Sequence, residues 1–235
     1  EELRAQGKVT GLFGVSWGPC HDGNFLPYQP TDVEAKALSA NIPLLIGSTK
    51  NEFMTSVRIP ELRGANADIV KDFLQKQFGD KTDAYIAAVK KAYPNDTKPS
   101  DLVDVDDMFR RSAIRMAEIK ASSGAPVYMY LFAWQSPVLD GNYKSLHCME
   151  IPFVFNNIHR CEQMTGGGKE AYVLADKVSQ AWINFARNGN PNHKGLPAWQ
   201  KYTSENGATM IFDNQCVEKY HHDKEFLAVT PDRTL

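Results

Sequence analysis

The apolar positions of this chain fall into short unbroken blocks and into stripes of helical period. Ile42, Leu44, Leu45 and Ile46, with Pro43 among them and Gly47 behind, form a block without polar alternation. That is the pattern of a strand covered on both faces in a parallel sheet, and the chain leaves it through Ser48, Thr49, Lys50 and Asn51. Residues 126–134 form a second block, rich in aromatic strand formers from Tyr128 to Trp134, and residues 209–212 a short third one followed by a polar tail. The helical stripes lie between them. Ile69, Phe73, Leu74 and Phe78 predict a helix over Ala67–Phe78, and Tyr85, Val89 and Tyr93 a second one that Pro94 stops. A third is predicted to start at an N-cap Ser100, to carry Leu102, Val105, Phe109 and Met116 inward, and to end at Ser122, Ser123 and Gly124. Its Asp and Arg residues then read as the polar face. The longest stripe, Val173, Leu174, Val178, Trp182 and Phe185, predicts a helix over Lys169–Asn188, with Gly189 as C-terminal cap and Pro191 beyond.

Strands alternating with helices indicate an α/β layered fold. Two or three strands make a poor sheet for so many helices, so the sheet is expected to continue in sequence outside these 235 residues. Residues 1–30 are broken by Gly11, Gly14, Gly18, Pro19, Gly23, Pro27 and Pro30 and read as an ordered loop. No internal repeat or low-complexity segment is evident.

Composition narrows the partners. The chain has 235 residues, 43% of them hydrophobic, enough for a substantial core. Its 26 basic and 28 acidic side chains are spread along the sequence and leave a net charge of -2, too little field to recruit nucleic acid or anionic lipid. No apolar run approaches the roughly 20 residues of a membrane span. A small molecule is the expected partner. Cys20, Cys148, Cys161 and Cys216 are too few for a disulfide framework, and the first residues, Glu1, Glu2, Leu3 and Arg4, carry no signal architecture. His221, His222 and Asp223 in the tail read as a solvated surface.

Reactive groups of open α/β sheets sit on loops that leave the carboxyl ends of strands. The loop after the first block brings Glu52, and the loop after the second brings His147. Acid and then histidine is also the order in which α/β-hydrolases present these groups, after an earlier serine. Local motifs agree with that order. Gly18-Pro19-Cys20-His21-Asp22-Gly23-Asn24-Phe25-Leu26-Pro27 is followed by the 42–47 block with Lys50-Asn51-Glu52. Then come Ser145-Leu146-His147-Cys148-Met149-Glu150-Ile151-Pro152-Phe153-Val154-Phe155 and Trp182-Ile183-Asn184-Phe185-Ala186-Arg187-Asn188-Gly189-Asn190-Pro191, the last trailed by Leu196-Pro197-Ala198-Trp199.

In these four places, in order and over most of the chain, the sequence resembles the type-B carboxylesterase and cholinesterase family. The resemblance implies that residues 1–235 are the C-terminal part of a single α/β-hydrolase domain: its last central strands and covering helices, an incomplete sheet on its own. It implies a serine carboxylic-ester hydrolase in which Glu52 orients His147 and His147 acts as general base, with no cofactor and no metal. Phe13, Val15, Thr55 and Ser56 fall where the family lines its substrate pocket. The implied partners are a small carboxylic ester and the preceding half of the same protein, and the resemblance favours a secreted or periplasmic setting that the first residues cannot decide. The chain departs from the family at Asn51 and Phe53, which flank the acid where an acidic residue and Gly are usual, and at Cys148, where Gly usually follows the histidine.

Gly14-Val15-Ser16-Trp17-Gly18 spells the G-x-S-x-G of a nucleophile elbow. An elbow needs a strand before the serine and a helix after it, and Pro19 and Gly23 forbid that helix. Ser16 is therefore read as a decoy. Gly166-Gly167-Gly168 lies too late in the chain for an oxyanion loop, so nucleophile and oxyanion hole are both expected from a preceding segment. Two other readings compete. One is a cholinesterase-like adhesion or binding module without activity, which would have no need of both Glu52 and His147. The other is a metal site built from His147, Cys148, His159 and Cys161, whose spacing matches no compact zinc pattern.

Overall fold

The computed structural model describes residues 20–29, 32 and 34–231. Contacts divide the chain into two units, residues 1–40 and residues 41–235. In the first, Asp22 Oδ1 accepts the backbone N–H groups of Asn24 and Leu26 at 3.0 and 2.9 Å, folding a polar turn, and a 3-10 helix spans Glu34–Ser39. Phe13, Val15 and Ser16 lie outside the described residues.

The second unit is a four-stranded sheet with helices on both faces. Its strands are β1 (Leu44–Thr49), β2 (Val127–Phe132), β3 (Ala208–Phe212) and β4 (Val217–Tyr220), in that spatial order. β1, β2 and β3 run parallel, with Gly47 opposite Tyr130 and Phe132 opposite Phe212, and β4 returns antiparallel. β2 is buried at all six positions, as its unbroken apolar run requires of a strand enclosed on both sides. Alternation sorts its side chains. Tyr128, Tyr130 and Phe132 join Trp134, Phe153, Met210 and Phe212 on one face, while Val127, Met129 and Leu131 enter the packing of the other.

The helices supply the covers: α1 (Ala67–Phe78), α2 (Thr82–Ala92), α3 (Met108–Ala121), α4 (Lys169–Asn188) and α5 (Lys224–Val229). The side chain of Asn66 caps α1 by accepting the N–H of Ile69 at 3.0 Å. α4 has the predicted bounds and stops where Gly189 turns left-handed at φ +67° and donates its N–H to Phe185 at 2.7 Å. A side chain at Gly189 would also run into Pro43. The inner stripe of α4 is Ala171, Leu174, Ala175, Val178 and Ala181, and Val173 is 45% exposed instead of lying on it. α4 lies against the short helix Ile151–Val154 and reaches the sheet through Trp182 on Tyr130 and Phe185 on Tyr128, and a leucine or valine buried there contributes roughly 1.5–3 kcal/mol.

Two expectations are corrected. No single helix runs from Ser100 to Ala121: a 3-10 helix spans Pro99–Val103, and α3 starts afresh at Met108. The break has a cause in hydrogen bonding. The Asp104 carbonyl accepts the Asn51 side-chain amide at 2.9 Å, the Asp106 N–H donates to Lys50 at 2.9 Å, and the Asp106 carboxylate accepts the Arg110 N–H at 2.8 Å. Residues 104–107 are thus tied to the end of β1 and cannot continue a helical ladder.

The polar tail is the second correction, since it forms β4 and α5. Asp223 is buried against Arg110, whose Nε lies 2.6 Å from Asp223 Oδ2 and whose Nη2 reaches Thr209 Oγ1 at 3.2 Å. Arg110 and Asp223 therefore belong to the interior, not to a polar face or a solvated tail. His222 is enclosed with them, its ring edge-on to Tyr93 at 5.9 Å and its Nδ1 3.7 Å from Asp223, beyond hydrogen-bonding distance.

Burial holds the His222 imidazole neutral down to about pH 4 against an ordinary 6.5. The unfolded chain takes up this proton first, so the stability contributed by neutral His222 is complete above 6.5 and is lost as pH falls toward 4. Burial raises Asp106 to about 7, which works in the opposite direction. The His222 share is therefore read by difference. Between pH 7 and pH 5 wild type should lose about 2 kcal/mol more unfolding free energy than His222→Phe. An equal loss of unfolding free energy in wild type and His222→Phe between the two pH values, read by urea denaturation, would refute the assignment.

Candidate active site

The first expected loop leaves β1 and the second follows β2, and they are laced together beyond the sheet. The Asn51 N–H donates to Ser145 O at 3.1 Å, the Ser145 N–H returns to Asn51 Oδ1 at 3.2 Å, and the His147 N–H donates to Glu52 O at 3.1 Å. Ser145 Oγ is tied to Phe132 O at 2.7 Å. Asn51 accepts from Ser145 while donating to Asp104, and an ionised acid at this position could do only the first. This is the physical sense of one departure from the resembled family.

Glu52 Oε1 accepts the Thr49 N–H at 2.8 Å, and Oε2 lies 2.5 Å from His147 Nδ1. The Glu52 side chain is 7% exposed and that of His147 is 46% exposed, so the carboxylate is sunk and the imidazole stands out of the surface. Nε2 has no hydrogen-bond partner among the described residues. The Phe53 ring stacks on His147 with centroids 4.7 Å apart and planes 29° apart, and Phe109 lies 5.5 Å from Phe53. Cys148 adopts φ +67°, the left-handed region that suits glycine, so the second departure carries backbone strain of about 1–2 kcal/mol. Its thiol is pushed up by burial and by the nearby Glu150 and Glu52, away from the reactive thiolate.

Sequence reasoning missed the charges around this pair. Lys144 is buried between Asp101 at 2.7 Å and Asp104 at 2.8 Å. Asp106 is held at about 7 by burial, with the charge of Glu52 adding to the shift, and Glu150 is raised by burial and then by Glu52. The Asp-rich run from Asp101 to Asp107 was the only available signal, and it read as a helix surface. The pocket candidates fare differently. Ser56 is buried, its N–H and Oγ both spent on Asp104 at 2.8 and 2.7 Å, so its hydroxyl is not offered to a substrate. Thr55 opens the single helical turn Thr55–Arg58. Among the described residues no three His, Cys, Asp or Glu side chains converge as metal ligands, and no helix is long and apolar enough to cross a membrane.

A mostly parallel sheet, covering helices, and an acid and histidine on successive strand-end loops define the α/β-hydrolase class. Within it, the Carboxylesterase family profile matches residues 2–228, and the chain belongs to that family. The chain is 30% identical over 220 residues to phenmedipham hydrolase of Pseudarthrobacter oxydans, covering 88% of this chain and 42% of that protein. It is 30% identical over 220 residues to para-nitrobenzyl esterase of Bacillus subtilis, covering 92% and 43%. A solved esterase of Clostridium hathewayi, described as hydrolysing aliphatic aromatic polyesters, superposes with a TM-score of 0.74 at 25% identity over 97% of this chain and 44% of that one. The chain thus spans less than half the length of these relatives.

Proposed function

We propose that this chain supplies the acid and the general base of a serine carboxylic-ester hydrolase, the nucleophile and oxyanion hole coming from a preceding segment. The observation that carries this reading is the 2.5 Å contact between Glu52 Oε2 and His147 Nδ1. A buried carboxylate at Nδ1 keeps the proton there and leaves the Nε2 lone pair available. Nε2 then accepts the serine proton as the hydroxyl attacks the ester carbonyl. The carboxylate stabilises the resulting imidazolium, which returns the proton to the leaving alcohol. Water repeats the cycle on the acyl-enzyme.

Two features support a second segment. β1 stands at the edge of the sheet, and among the described residues nothing pairs with its outer side, although its apolar side chains are only half-buried. An unprotected apolar edge of this kind invites another strand. The His147 ring of the pair, 46% exposed, also stands out of the surface while Glu52 is sunk beneath it. A cavity of about 420 Å³ is lined instead by Arg110, Tyr202, Thr209 and Asp223, and neither Glu52 nor His147 is among its lining residues.

Hydrolysis of a short-chain p-nitrophenyl ester tests the reading. The chain alone should be inactive, and activity should appear once the preceding half is supplied. That activity should vanish in His147→Ala and persist in Ser16→Ala. Activity of the chain alone that Ser16→Ala abolishes would overturn the proposal and make Ser16 the nucleophile.

A further inference from the structure

We infer that Phe53 is a positioning residue that sets the plane of the His147 ring, an inference that rests on the triad reading above. A hydrogen bond from Nδ1 to Glu52 fixes one atom of the imidazole and leaves the ring free to rock about the Nδ1···Oε2 axis. Rocking moves Nε2, the atom that must meet the serine hydroxyl. A flat group against the ring face removes this freedom. Phe53 provides it, at 4.7 Å between centroids and 29° between planes. Phe109, from the first turn of α3, backs both rings at 5.5 Å from Phe53 and 6.1 Å from His147.

The stack is anchored at both ends. On one side of Phe53 in the chain is Glu52, held by the Thr49 N–H. On the other, three residues along, Ser56 is held twice by the buried Asp104 carboxylate. The His147 backbone is pinned to Glu52 O at 3.1 Å, and α3 is started by the bond from the Arg110 N–H to Asp106. The in-plane constraint on the imidazole and the out-of-plane one thus come from consecutive residues. A glycine at position 53, usual in the resembled family, could not provide the second. Aromatic pairs are strong enough to matter here and weak enough that their loss should cost roughly three- to tenfold in rate, not abolish it.

The test uses this chain joined to the segment that supplies the nucleophile, in wild-type, Phe53→Leu, Phe53→Tyr and His147→Ala forms. With isotope-labelled histidine, the His147 ring protons should resonate upfield in wild type and Phe53→Tyr from the ring current of the stacked side chain, and lose that shift in Phe53→Leu. In ester hydrolysis Phe53→Leu should lower kcat roughly three- to tenfold with KM unchanged, and Phe53→Tyr should restore wild-type kcat. His147 signals that do not respond to Phe53→Leu would overturn the inference, as would a loss confined to KM. If His147→Ala leaves hydrolysis intact, the triad reading and this inference both fall. If His147→Ala abolishes hydrolysis while Phe53→Leu leaves kcat unchanged, only the inference about Phe53 falls.

Discussion

Glu52→Gln is expected to lower kcat for ester hydrolysis by about 10⁴-fold while moving KM and the unfolding midpoint little. The size of the effect follows from how the two carboxylate oxygens are used. Oε1 satisfies the Thr49 N–H and Oε2 meets Nδ1 of His147. In the amide the single remaining oxygen stays with the Thr49 N–H, because among the described residues no other acceptor serves that donor. The NH2 then faces Nδ1 and donates to it. Nδ1 must become the acceptor, the ring proton moves to Nε2, and the atom that should take the serine proton already holds one. The negative charge that stabilises the imidazolium is lost as well. Shape and packing are preserved, so circular dichroism and urea denaturation should resemble wild type. Steady-state kinetics on the protein carrying its nucleophile segment is the measurement, and a variant within tenfold of wild type would remove Glu52 from the proposed triad.

The largest effect on stability should come from Asp223→Ala, expected to cost about 3–5 kcal/mol of unfolding free energy in urea denaturation at pH 7. The reason is asymmetry. Arg110 Nε and Nη2 both point at Asp223 inside a low-dielectric interior, and Nη1 has no hydrogen-bond partner among the described residues. Removing the carboxylate strands a buried guanidinium that makes no other ion pair among the described residues, whereas the Coulomb gain of the intact pair mostly repays its desolvation. The double replacement Arg110→Met with Asp223→Leu should therefore recover most of the loss. A single Asp223→Ala variant within 1 kcal/mol of wild type would mean that water or a neighbouring charge already solvates Arg110.

How much of this was legible in the sequence depended on whether one pattern dominated a segment. The stripe of α4 and its Gly189 cap gave both ends of the helix, and the apolar blocks gave β1 and β2 within about two residues. Ser100 misled because local capping chemistry was present while the backbone beyond it was claimed by distant partners, Asn51 and Lys50. The tail misled for a related reason. Charged and imidazole side chains look solvated one at a time, and a pair such as Arg110 and Asp223, 113 residues apart, is invisible until the fold brings it together. Glu52 and His147 stood out because each follows a strand and sits inside a longer motif. Phe53 stood out only as a departure, since stacking is a property of two loops and not of either one.

The outer edge of β1, unpaired among the described residues, divides the proposed chemistry along a seam. On that reading the proton-handling pair lies on one side and the attacking oxygen on the other, so turnover requires that the two halves be registered against each other to a fraction of an ångström. Ester hydrolysis would then report assembly as faithfully as it reports chemistry, and this chain would behave as one half of a split reporter, silent until its counterpart closes the sheet.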